Sequence, residues 1–252
     1  MINKLKIGVA LFLLGSIGVL SMLSVKIPMD SLPKQLTDRF SAQEIQWLTL
    51  INPLLLMIIG VLIGTALHEK VKLQIPTIKS LLNISPQSIS FTEQLKSGIT
   101  IGIISGIVIT SIAAFFQSFL PAEFIALGSK MSITPAARLL YGGITEELLL
   151  RYGFMTLVVW IVFKISNQLT NATYFIGILL SSLFFALGHL PVVYGSVEHP
   201  SAMLIAYIIT GNASAGLLFG WLYWKKGLEA AMIAHMFAHI TMMMGEKLFH
   251  LQ

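Results

Sequence analysis

Apolar runs follow one another along this chain with little polar sequence between them. A helix that crosses a bilayer needs roughly 20 consecutive, mostly apolar residues. Runs of that kind extend from about Ile7 to Val25, Trp47 to Leu67, Gly98 to Leu120, Tyr174 to His189, Ser201 to Trp224 and Leu228 to Phe249. A further segment, Pro135 to Ile165, is too long for one upright span and short for two; Glu146, Glu147 and Arg151 interrupt it, and Gly153 is a candidate break. The pattern predicts an all-α, polytopic transmembrane helical bundle of about seven spans, with eight as the alternative. A single integral membrane domain over 1–252 is expected, with N-terminal spans in 1–133 and the motif-bearing core in 134–249.

Composition agrees with that pattern. The 252 residues are 56% hydrophobic and 11% charged, where a soluble domain carries about 25% charged residues. A surface so poor in charge needs lipid as its solvent. The absence of cysteine excludes disulfides, thiolate catalysis and Cys-ligated metals. The net charge of +5 comes from dispersed basic residues, which read as membrane topology and not as a nucleic-acid patch.

With seven spans and a cytoplasmic N-terminus, Lys4, Lys6, Lys70, Lys72, Lys79, Lys96, Lys164, Lys225 and Lys226 lie inside; Lys26, Lys34, Arg39, Lys130 and Lys247 lie outside. That distribution favours this orientation, and eight spans would turn Lys225 and Lys226 outward. The first run follows Lys4 and Lys6 as a signal peptide would, but Val25-Lys26-Ile27-Pro28 is a poor cleavage site, so an uncleaved helix is expected. The short loops suggest a bacterial cytoplasmic membrane. Gly98, Gly102 and Gly106, and Gly216 with Gly220, recur every four residues and predict close helix packing. The sequon Asn171-Ala172-Thr173 falls in a tight loop expected to be cytoplasmic and reads as chance.

Ionisable side chains inside a span cost about 2.5–3.5 kcal/mol each on insertion scales, which makes them functional candidates. The first cluster is Glu146-Glu147-Leu148-Leu149-Leu150-Arg151. On an α-helix Glu147 and Arg151 share a face and can pair, while Glu146 points about 100° away and has no intrahelical partner. A carboxylate left free in a dry setting suits a general base; the plainer reading is that all three residues cross-link helices. The second cluster, Phe185 to His189, ends a run just before Pro191, and a lone histidine there is ordinarily interfacial. The third is His235-Met236-Phe237-Ala238-His239, whose imidazoles share a helix face and could bind a metal or donate hydrogen bonds. His68, His199 and His250 fall at predicted span ends or in loops.

These clusters, in this order, resemble the CAAX-protease and bacteriocin-processing family, which includes the type II CAAX prenyl endopeptidases. The family pattern EExxxR matches Glu146, Glu147 and Arg151; FxxxH matches Phe185 and His189; the histidine of HxxxN matches His235, after the similar stretch Gly227 to Met232. His239 departs from the pattern, standing where the prenyl endopeptidases have asparagine. The resemblance covers about Ala136 to Thr241. It implies endopeptidase activity on a membrane-embedded or lipidated peptide. Glu146 would activate water with help from His189, His235 and His239 would stabilise the oxyanion, and Glu147 and Arg151 would support the site. The rival mechanism puts a divalent metal, most plausibly zinc, on candidates His189, His235 and His239.

Two other classes stay open on the residues: an ion- or proton-coupled transporter, although no internal repeat is evident, and a non-catalytic membrane partner or immunity protein. The helix bookkeeping also leaves a conflict. His235 is about 10 Å from the start of its run at 1.5 Å per residue, whereas His189 lies near the opposite end of its own. They converge only if a helix is tilted, broken or longer than its apolar run.

Overall fold

A computed structural model describes residues 1–27, 29, 32–130 and 133–249. Among them the chain is 83% helical with no strand. Seven long helices correspond to the seven expected runs: α1 (Ile2–Ser21), α2 (Ile51–Leu67), α3 (Phe91–Gln117), α4 (Ala137–Ser166), α5 (Asn171–Gly188), α6 (Ala202–Lys226) and α7 (Leu228–Phe249). With their helical extensions, the stretches holding α1 to α6 are six among the described residues long and apolar enough to cross a membrane. The protein is an integral membrane protein. The segment that left eight spans open is one continuous helix, α4, and Gly153 does not break it. Instead Gly153 meets Gly60 of α2, where an added Cβ would come within 2.6 Å of the Gly60 Cα.

Helix starts follow the capping rules. The Ser90 hydroxyl accepts from the Glu93 N–H at α3, Thr170 and Thr173 form a capping box at α5, and Ser201 accepts from Leu204 at α6. Asn171 is the first residue of α5, part of this helix start. Between α6 and α7 the chain turns at Gly227, whose φ of +91° is a backbone conformation that side chains disfavour. Gly227 also lies against the Pro76 ring, and the adjoining polar groups are satisfied across the turn. Leu228 N–H donates to the Gln74 carbonyl, and the Glu229 carboxylate accepts from Ile78 N–H and the Gln94 side chain.

The first turns of helix α7 are packed inside the bundle. Leu228, Ala230, Ala231 and Ala234 have no exposed surface and Ala238 has 1%. Its alanines let the glycine row of α3 approach: Gly98, Gly102 and Gly106 meet the carbonyls of Ala230, Ala234 and Ala238 in turn. On α6, Gly216 meets Ser182 of α5. The outer faces are apolar, as on α5, where Leu179, Leu183, Phe184 and Leu187 are exposed to lipid.

A Cβ at position 102 would fall 2.5 Å from the Ala234 carbonyl oxygen, a backbone atom that cannot rotate aside. Gly102→Val is therefore expected to cost about 1–3 kcal/mol of stability, while Ile103→Val on the exposed face should cost little. Denaturant unfolding in detergent measures both. A Gly102→Val protein as stable as the wild type would contradict this packing.

Candidate active site

The N-terminal two-thirds of α4 is not α-helical. Ala137–Glu146 and Leu148–Met155 are π-helical, with i→i+5 hydrogen bonding, and α-geometry resumes at Thr156. The Thr156 hydroxyl marks the change by donating to the Arg151 carbonyl five residues earlier. Extended π-helix is rare, and short π-bulges concentrate at functional sites. More residues per turn means a smaller angle between neighbouring side chains. The carboxylates of Glu146 and Glu147 approach opposite nitrogens of one histidine.

That histidine is His235 on α7. Its Nδ1 is 2.9 Å from Glu147 Oε1, and its Nε2 is 3.8 Å from Glu146 Oε2. Because a carboxylate only accepts, the Nδ1–H donates to Glu147. The other oxygen of Glu147 is 3.4 Å from Arg151 Nε, the expected pair one turn apart. Glu147 and Arg151 are wholly buried and His235 is 5% exposed, but Glu146 keeps 19% of its side-chain surface. Arg151 also donates from Nη2 to the Gly216 carbonyl on α6 at 3.1 Å, and its guanidinium lies 4.9 Å above the Phe185 ring. Its Nη1 has no hydrogen-bond partner, so ring faces and not oxygens meet part of that cation.

Aromatic rings order the histidines. Phe219 of α6 stacks on His235 with centroids 4.6 Å apart, and His235 stacks on His239 at 4.9 Å. Phe185 stands edge-on to both His235 and His189. His189 therefore joins the cluster through Phe185 and makes no ion pair with Glu146. Its Nδ1–H donates to the Phe185 carbonyl at 2.9 Å, which leaves Nε2 as the other ring position. The conflict over His189 has a structural answer: the helical stretch runs on past it, as Leu190–Ser196, to give a 26-residue span. Pro191 occupies the first turn of that short helix, where its missing N–H costs nothing.

The sequence clusters thus converge, but four contributing residues had not been assigned to the site. Phe219 had no motif around it. Gly142 and Gly143 had no motif either, and they let α7 lie against α4 at His239 and Met236. The Gly216 carbonyl that receives Arg151 was expected only as part of a packing row. Outside the cluster, His68 is buried with Nδ1 against the Leu73 carbonyl, His199 lies in a loop, and His250 is outside the described residues.

Among the described residues no three His, Asp or Glu side chains are disposed to hold one ion. His189, His235 and His239 as placed do not form a ligand set.

Residues 129–241 match the family model described as type II CAAX prenyl endopeptidase Rce1-like. Comparison with curated proteins and with solved structures gave no match. The matched segment contains Glu146, Glu147, Arg151, Phe185, His189, His235 and His239, the residues that carry the family pattern and the cluster built on it. Through that segment the chain resembles the CAAX-protease and bacteriocin-processing family.

Proposed function

We propose that this protein is an intramembrane endopeptidase that cleaves a membrane-embedded or lipid-anchored peptide, with Glu146 as the base. One observation carries the reading. In a cluster where Glu147 and Arg151 are sealed from solvent, Glu146 is the carboxylate with exposed surface, and it faces a histidine whose far nitrogen is already held. The gap of 3.8 Å between Glu146 Oε2 and His235 Nε2 suits a water touching both atoms from the side.

The chemistry balances on this chain's own groups. Glu146 takes a proton from water as the oxygen bonds to the scissile carbonyl carbon, and the carbonyl π electrons move to its oxygen. His239, stacked on His235, stabilises that oxyanion, a contribution that often dominates acyl-transfer catalysis. The C–N bond then breaks, and Glu146 returns its proton to the leaving amine. His189, at the edge of Phe185, assists by orienting the water through Nε2. Glu147 and Arg151 take no part in the proton transfers. They fix the tautomer and the tilt of His235, as a buried carboxylate does for a catalytic imidazole. No step uses a metal.

Purified protein in detergent, offered lipidated and transmembrane fluorogenic peptides, tests the base. Cleavage should fall about 100-fold or more in Glu146→Gln and persist in chelator. Equal rates in the two proteins would contradict the assignment, and loss in chelator with recovery on added zinc would contradict the metal-free route. If the protein's biological effect is untouched by Glu146→Gln, the chain acts as a non-catalytic membrane partner.

The support pair has a different signature. Arg151→Leu strands a buried carboxylate and is expected to cost about 3–5 kcal/mol of stability, read by unfolding in detergent. Glu146→Gln, partly exposed and without a guanidinium partner, should cost far less. Equal losses would mean that the two carboxylates do not divide the work in this way.

A further inference from the structure

We propose that Gly142 is a positioning residue for His239: its missing side chain is the seat of that imidazole, and the two positions act as a matched pair. The inference rests on the reading above, in which His239 serves the oxyanion, and names a residue outside the three sequence clusters.

The His239 ring is held in an unusual way. Its Nδ1 is buried and has no hydrogen-bond partner, so no polar contact at that atom fixes the angle of the ring. Two contacts bear on it. One face stacks on His235, with planes 19° apart. One edge rests on α4: a Cβ at position 142 would lie 2.6 Å from His239 Nε2 and 3.2 Å from Cδ2. Contacts between real Cβ atoms and their neighbours are almost never that short, so a methyl group at 142 and the present imidazole exclude each other.

The kind of atom displaced matters. At Gly18 and Gly102 the obstructing atoms include backbone oxygens, at 2.4 and 2.5 Å, so a side chain there would separate helices. At Gly142 the obstruction is the tip of a side chain. The chain can yield by swinging the imidazole out of the stack while α4 and α7 stay packed. The next atom, His235 Nε2, is at an ordinary 3.6 Å from the added Cβ. Gly142→Ala should therefore misplace His239 and spare the fold. His239→Asn, shorter but still a hydrogen-bond donor, should remove the conflict.

This gives a change of sign that a purely structural glycine would not. Alanine is favoured over glycine within a helix, so Gly142→Ala should raise Tm wherever no clash opposes it. The experiment compares wild type, Gly142→Ala, His239→Asn and the double variant in detergent, by Tm and by peptide cleavage. Gly142→Ala is expected to lower Tm in the wild-type background and to raise it in the His239→Asn background. Its kcat should fall about 100-fold, the scale of loss from misplacing a group by about 1 Å, and should recover when His239→Asn is added. The same Tm change in both backgrounds would overturn the pairing, as would a double variant no more active than Gly142→Ala beside an active His239→Asn. If the wild type cleaves no peptide, the protease reading fails, and the two Tm differences still decide the pair.

Discussion

A carboxylate without exposed surface holds the centre of this molecule. Glu147 on α4 accepts from His235 on α7 and pairs with Arg151, which in turn donates to α6 and lies over Phe185 of α5. Four helices thus meet at one buried charge pair. In a low-dielectric interior each of these charges would be costly without its partners, so the helices are constrained to the arrangement in which both are met. The three-ring stack of Phe219, His235 and His239 depends on that constraint, because the Glu147 bond sets the direction in which His235 faces.

The rest of the fold brings α7 deep enough to supply those histidines. Its first turns are alanine-rich and buried, the α3 glycines admit them, and the Glu229 contacts anchor the start of the helix. Apolar side chains face outward as well as inward, and small residues mark the closest helix contacts. Lipid offers helices little hydrophobic drive to associate, so small residues and polar contacts decide which faces meet.

Much of this was legible in the residues themselves. Apolar run lengths gave the seven helices, the four-residue spacing from Glu147 to Arg151 gave the ion pair, and the glycine rows gave two helix contacts. What stayed hidden depends on backbone geometry or on partners far along the chain. Nothing in the Ala137–Met155 sequence announces π-geometry, and no motif shows that the two glutamates close on one imidazole from its two nitrogens. Pro191 looked like the end of a span because proline ends many helices, yet here it begins the next helical segment. Phe219 lies 16 residues before His235 in the sequence and joins it only because α6 and α7 run side by side. Gly142 matters for what it lacks, which only the position of His239 reveals.

The division of labour between the two glutamates is the central claim, and the ring nitrogens of His235 report on it directly. In ¹⁵N-histidine NMR of the protein in detergent, the wild type should carry a proton on His235 Nδ1. Glu147→Gln should shift that Nδ1 resonance, whereas Glu146→Gln should move Nε2 and leave Nδ1 in place. A bare Nδ1 in the wild type, or an Nδ1 that answers to Glu146 and not to Glu147, would contradict the account.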